Sequence, residues 1–213
     1  MKTRLSNAVL EETIEREARR IFNGKRASLL DRRARMVLAM CSLILASYRE
    51  LHILTGDSSQ ASDLVGKAIL QTNQKSARLM TRALVLSSPD PFKLLSRVSL
   101  RGISRLTYGK SMGFDQERTE NSVSLIVNRC AFHQFFIDHG EPHLTQLLCL
   151  WDRNWMDPIN SSDRPVRIER PTTISTGSET CQFRFVQDEL KESKETVDVL
   201  PPRIQPTRQP KQR

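Results

Sequence analysis

Residues 123–155, VSLIVNRCAFHQFFIDHGEPHLTQLLCLWDRNW, carry the change of periodicity that decides the fold. Val123 to Arg129 is β-branched and alternating, the pattern of a strand with one buried face. From Ala131 to His139 the apolar positions move to helical spacing and stop at Gly140, and Pro142 opens another helix that should run to about Trp155. Downstream, Val166 to Ile174 is again β-branched, and Thr180 to Val186, TCQFRFV, alternates polar and aromatic residues. Three strands interleaved with short helices predict a small antiparallel sheet, and with it an α+β fold.

Upstream of Gly113 the chain reads helical. Leu10, Ile14, Ala18 and Ile21/Phe22 recur at three- and four-residue spacing, with Glu11, Glu12 and Glu15 in the early turns where the helix dipole favours anions. A helix is expected from about Leu29 to Leu54, whose middle, VLAMCSLILAS, is apolar nearly all round and so belongs among other helices. After Thr55-Gly56-Asp57, apolar residues from Leu64 to Leu84 suggest a third helical stretch, broken by Ser87-Ser88-Pro89-Asp90-Pro91. From Phe92 to Tyr108 one helix would carry Lys93, Arg97, Arg101 and Arg105 four apart on a solvated face. The expected organisation is a helical part, 1–112, packed on an α+β part, 113–187, as one domain, followed by a flexible basic tail over 188–213.

Charge and composition narrow the function. The net charge of +9 sits at the two ends: residues 1–35 carry ten Lys/Arg against five Asp/Glu, residues 201–213 carry four cations, and 36–200 is neutral. A neutral body with basic ends and only 6% aromatic residues is a poor nucleic-acid surface. The apolar stretch Met36–Ala46, interrupted by Ser42, falls short of the roughly 20 residues of a membrane span, and the N-terminus has no signal-peptide core. The expectation is a cytoplasmic protein with a small-molecule partner, compatible with a homo-oligomer.

Three of the four cysteines lie in the second half at element boundaries or on a short helix: Cys130 after Asn128-Arg129, Cys149 in Cys-Leu-Trp-Asp152, and Cys181 after Gly177-Ser178-Glu179. Reduced cysteines of this kind are core fillers, metal ligands or nucleophiles. Cys41, inside the apolar helix, is a filler. Cys130-Ala131-Phe132-His133 has ligand-like spacing, and Cys149 with Cys181 would complete a zinc set, but structural zinc ligands come as short-spaced pairs on loops. The adopted reading therefore uses no metal and no cofactor. A nucleophilic thiol needs a group that accepts its proton or stabilises its anion, and for Cys149 the candidates are Asp152, one helical turn on, and His133. Antiparallel strand ends should bring Cys130 and Cys181 together with the Cys149 helix across them, leaving Cys41 apart.

The string from Val127 to Trp155, followed by RPTTISTGSETCQFRF over 170–185, resembles the L-2-amino-thiazoline-4-carboxylic acid hydrolase family. That family's pattern runs from a strand ending in Arg-Cys, through a short helix and a Gly-Glu turn, to Cys-x-x-Asp. It closes with Thr-x-x-x-Gly and Cys-Asp-Phe-x-Phe. Arg129-Cys130, Gly140-Glu141, Cys149 and Asp152, Thr173 and Gly177, and Cys181 to Phe185 fall in that order. Two positions depart from it: Gln182 stands where the family has Asp, and Glu141-Pro142-His143 is a less common form of the turn.

The resemblance implies hydrolytic opening of a cyclic amidine-like C–S or C–N bond to a carbamoyl product. The matched motif makes Cys149, Asp152, Cys130 and Cys181 the candidate catalytic residues and Arg129, Thr173 and Gly177 candidate substrate contacts; the residue reading adds His133 to the first set and Asn128, beside Arg129, to the second. Arg129 or another basic residue would grip a carboxylate through a forked pair. The alternative is a non-catalytic small-molecule-binding or sensory module on the same scaffold.

Overall fold

Asp31 starts the helix around which the others are arranged. Its carboxylate accepts the Ala34 N–H at 2.7 Å, which satisfies one of the free donors at the start of α2 (Arg32–Thr55), and Gly56 ends that helix at φ 67°. The computed structural model describes residues 2–25 and 31–188. Val37, Leu38, Cys41, Ile44, Leu45 and Tyr48 form the buried stripe of α2, against which α1 (Lys2–Lys25) lays Ile14, Ala18, Ile21 and Phe22. On its other flank α3 (Ser58–Gln71) contributes Ala61 and Val65. The expected start at Leu29 falls outside the described residues. By length and composition α2 is also the one described helix that could cross a membrane, which corrects the shorter estimate made from Met36–Ala46. Here its Cys41, Leu45 and Ala46 are completely enclosed by protein.

Two predicted helices upstream of Gly113 are each divided. The stretch from Leu64 to Leu84 is the end of α3 and a separate α4 (Gln74–Leu86), parted at Asn73, whose φ of 54° no helix interior tolerates. Phe92–Tyr108 is α5 (Pro91–Arg97) and α6 (Leu100–Tyr108), because Val98 is extended and the Ser99 hydroxyl caps a new helix through the Gly102 N–H at 3.1 Å. The cation stripe is thereby split, and Arg101 faces Asp115 at 3.7 Å instead of water alone.

The sheet is antiparallel throughout, with four strands in the order β1 (Gly113–Arg118), β2 (Ser122–Arg129), β4 (Cys181–Gln187), β3 (Val166–Glu169). The unexpected strand is β1. It is an edge, so Asp115, Glu117 and Arg118 stay in solvent, and only Phe114 announces it. β3 stops four residues in, since Pro171 has no N–H to offer a ladder. Between β2 and β3 run α7 (Ala131–Asp138), α8 (Leu144–Trp151) and α9 (Arg153–Asn160). The expected single helix from Pro142 to Trp155 thus breaks at Asp152 and continues further, to Asn160.

Register sorts the strand residues into two faces. Val123, Leu125 and Val127 stand opposite Phe185, Phe183 and Cys181, and this set meets the helices. Ser124 and Ile126, opposite Arg184 and Gln182, face the other way. Phe135, Phe136 and Leu144 of α7 and α8 enter the same core as α1 to α3, so apolar packing crosses the boundary at Gly113. The architecture is α+β with the helical half against the small sheet; the tail beyond Asp188 lies outside the described residues.

Candidate functional site

β2 delivers its last residue, Arg129, to the start of α7, and Cys130 occupies the N-cap position there. The N–H groups of His133 and Phe132 turn toward its thiol, yet burial dominates and pushes that thiol up to about 11. Cys181 opens β4 opposite Val127, and its Sγ accepts the Ile174 N–H at 3.2 Å. Cys149, in the last turn of α8, has its Sγ 3.5 Å from the Ser175 hydroxyl. Cys130 packs against the cluster that holds Cys181, and the Ile174–Ser175 turn touches both Cys181 and Cys149, so the three thiols gather where two strand ends meet a helix end. Cys41 is a core residue, but it is not remote: buried in α2, with its thiol pushed well up by desolvation, it too feels Cys130.

The residue that joins this locus is Arg170. Its Nη1 donates to Asp152 Oδ2 at 2.9 Å and to the carbonyl oxygen of Cys149 at 3.1 Å. Its Cζ lies over the Phe183 ring, 4.8 Å from the centre, a cation–π contact that ties the guanidinium to the sheet. Burial opposes the charge of Arg170, but Asp152 and then Cys149 outweigh it, so the guanidinium is held above its ordinary value. The Asp152 side chain is 23% exposed and that of Arg170 15%. Burial raises the Asp152 carboxyl above the usual carboxylate range in spite of Arg170 and of a hydrogen bond from Trp155 Nε1 at 3.0 Å. Tyr108, at the end of α6, closes the group; its phenol is raised by burial, then by Asp152 and Cys130.

Thr173 and Gly177 act through the backbone. The Thr173 carbonyl accepts from Thr176, Gly177 follows at φ 97°, and the short turn between them, Ile174–Thr176, points Ser175 at Cys149 and the Ile174 N–H at Cys181. Gln146 of α8 holds the same turn by donating to the Ser175 carbonyl at 3.0 Å. Just before it, Arg170 Nε and Thr172 Oγ1 are buried without a partner among the described residues.

Other expected site residues stand elsewhere. His133 shares a hydrogen bond with Thr145 at 3.1 Å between α7 and α8, so its ring joins two helices. Asn128 is exposed and donates to Asp115 at 2.6 Å, and Arg129 donates to the Lys110 carbonyl at 2.7 Å. Gln182, the departure from the family pattern, hydrogen-bonds Ser124 on the sheet face opposite Cys181. An open groove of about 420 Å³ lined by Ser99, Arg101, Gln116 and Arg118 shares no residue with the thiol locus. Among the described residues no group of three or more His, Cys, Asp or Glu is placed to hold a metal ion.

Arg170, Ser175 and Tyr108 were not singled out from the sequence. One signal for Arg170 was present: alternation through Val166 and Ile168 continues to position 170 and places it on the helix-facing side. The stretch that follows, from Pro171 to Ile174, reads as more strand, which hides the arginine's role.

The family model described as L-2-amino-thiazoline-4-carboxylic acid hydrolase matches residues 33–185. No curated protein sequence matches the chain. Solved structures of the unliganded Fe(II) H-NOX protein from K. algicida and of a point mutant of it are similar at 15% identity and a TM-score of 0.29. These matches cover 70% of this chain and 72% and 71% of theirs, and at that TM-score they support no conclusion about fold or function.

Proposed function

Because the chain belongs to the L-2-amino-thiazoline-4-carboxylic acid hydrolase family, we propose that it is a hydrolase that opens small cyclic amidines of the thiazoline type to carbamoyl products. The observation that carries the reading is the bridge at Arg170, which ties the Cys149 carbonyl to the Asp152 carboxylate beside a turn that offers Ser175 to the thiol.

Cys149 is the proposed nucleophile. Its thiolate adds to the ring carbon between nitrogen and sulfur, the ring C–S bond breaks, and the departing sulfur takes a proton. Water then adds to the enzyme-bound isothiourea, and Cys149 leaves as the thiol with release of the carbamoyl product. Asp152 serves to hold and pass the protons of these two steps, a task suited to a carboxyl that burial raises above its ordinary value. Cys130 and Cys181 form the thiol-lined wall, Thr173 and Gly177 shape the turn, and Arg129, at the rim, is available to a substrate carboxylate. A small-molecule substrate in the cytoplasm is part of the same proposal.

A single-step route, with Asp152 activating water directly, rests on the same raised carboxyl. Incubation of the protein with a thiazoline and related cyclic amidine series, with and without chelator, followed by mass spectrometry for thiol and ureido products, tests the activity. Loss of all products in Cys149→Ala supports the covalent route. Retention of products in that variant supports water activated by Asp152.

A further inference from the structure

We propose that the outer sides of α4, α5 and α6 form a docking surface for an anionic lipid bilayer, against which the protein sits as a peripheral membrane protein. Residues 74–111 hold eight Lys or Arg against a single acid, Asp90, although 36–200 as a whole is neutral. Asp90 is occupied at the N-cap of α5, where it accepts the Lys93 N–H at 2.8 Å. Arg78 meets Asp157 at 3.3 Å and Arg101 meets Asp115 at 3.7 Å. Among the described residues the other six cations, Lys75, Arg82, Lys93, Arg97, Arg105 and Lys110, have no ion-pair partner. The same helices leave large apolar side chains in water: Leu79, Met80, Leu84 and Leu86 on α4 and Ile103 and Leu106 on α6 are each between 54% and 71% exposed.

Val85, Phe92, Leu95 and Leu100 fasten the three helices to one apolar cluster with Val123 and Phe185 of the sheet, so their outer sides look away from it together. None of the nine residues of α6 is fully buried, and Leu100, Ser104 and Tyr108 make up its half-buried inner side. The helical period then puts Ile103 and Leu106 on the outer side, with Arg101 and Arg105 along one edge of them. Apolar residues flanked by cations are the arrangement of a helix lying in a bilayer interface, where the apolar side chains sink past the headgroups and the arginine stems reach back to the phosphates. Beside α6, the groove of about 420 Å³ between Ser99, Arg101, Gln116 and Arg118 gives a headgroup phosphate a pair of guanidinium groups. A second copy of the chain is a poor occupant, because a two-fold contact would set this cationic surface against itself. Nucleic acid is a poor one too: the two aromatic residues of the stretch, Phe92 and Tyr108, are turned into the core and offer no ring to a base.

Co-sedimentation of the full chain with vesicles tests the surface without any substrate. The protein should partition onto phosphatidylcholine vesicles that contain about one third phosphatidylglycerol and stay in solution with phosphatidylcholine alone, and raising the salt several-fold should weaken the partition by on the order of tenfold. Arg101→Gln combined with Arg105→Gln should weaken it by about tenfold or more, and Ile103→Ser combined with Leu106→Ser by a similar factor. All four side chains are exposed, so circular dichroism should be unchanged in both variants. Deletion of residues 201–213, which removes the cations of the tail, should leave the partition within about threefold. Failure of the full chain to bind the anionic vesicles, an unchanged partition in either double variant, or loss of binding on deletion of the tail would overturn the proposal. Tighter retention on polyglutamate or on an RNA duplex than on the anionic vesicles, lost in the Arg101 and Arg105 variant, would overturn it in favour of an acidic polypeptide or a nucleic acid.

Discussion

Asp152 Oδ2 accepts a hydrogen bond from Arg170 Nη1 at 2.9 Å across 18 residues of sequence, and the same nitrogen reaches the Cys149 carbonyl at 3.1 Å. One side chain from the end of β3 thereby closes the junction between α8 and α9. The junction itself exists because Asp152 sits between the two helices instead of inside one.

Cys149→Ala should lower kcat/KM on a turned-over thiazoline by on the order of 10³-fold or more, and Asp152→Asn by about 10²-fold or more, with folding retained. Cys41→Ala should leave kcat/KM intact and cost about 1–3 kcal/mol, since Cys41 is fully enclosed by α1 to α3 packing. Steady-state kinetics beside denaturant melts check both halves. Equal effects of Cys41→Ala and Cys149→Ala on turnover would remove the distinction between filler and nucleophile.

Under the proposed mechanism the raised carboxyl of Asp152 should set the acid limb of activity. A carboxyl lifted by burial takes up its proton while exposed carboxylates are still ionised, so the limb should lie above the ordinary range of about 4. Trp155→Phe deletes the 3.0 Å donor that favours the charged form and should move the limb further up, by about half a unit to one unit. The linkage to folding has the matching sign. The folded state binds this proton more tightly than the unfolded chain, so the group's stabilising contribution is complete below the ordinary carboxylate value and is lost as pH rises through the raised one. A limb that stays in place in Trp155→Phe would detach it from Asp152.

Gly177→Ala should cost about 1–2 kcal/mol, because φ of 97° disfavours any Cβ although nothing lies within 4 Å of one there. The cost is purely conformational, so Gly177→Asn should be milder. Thermal melts of the two variants give the comparison, and equal melting temperatures for Ala, Asn and Gly would show that the turn relaxes freely.

Arg129 separates two readings of the rim. With its guanidinium on the Lys110 carbonyl at 2.7 Å, Arg129→Ala should lower the melting temperature by a few degrees and leave KM within about twofold. A KM raised tenfold or more with kcat unchanged would instead give Arg129 the substrate carboxylate.

Much of this organisation is legible in the sequence, for identifiable reasons. The stripe of α2 and the alternation of Val123 to Val127 survive because both are buried on the side their period implies. β1 is illegible because an edge strand keeps charged residues in water and has no full apolar alternation to show. The helix breaks at Asn73 and Val98 are set by single residues whose backbone angles leave the helical region, whereas Asp152 keeps helical angles and no side-chain cap marks the break there. At the site, the convergence of Cys130 and Cys181 follows from antiparallel strand ends. Arg170 escapes notice because its partners, Asp152 and Cys149, lie one β-strand and one helix earlier, and no local spacing reports such a contact. Asn128 and Arg129 show the converse: both adjoin Cys130 in sequence, yet alternation takes Asn128 to the other face, where it meets Asp115, and the Lys110 carbonyl holds the exposed Arg129.

Rapid quench of the protein mixed with L-2-amino-thiazoline-4-carboxylic acid, followed by intact and peptide mass spectrometry, tests the central claim most directly. The account predicts a transient adduct of the substrate's mass on the peptide holding Cys149, decaying as the carbamoyl product appears, with both signals absent in Cys149→Ala. Product formation at an undiminished rate in Cys149→Ala, or an adduct that forms on Cys130 or Cys181 instead, would contradict it.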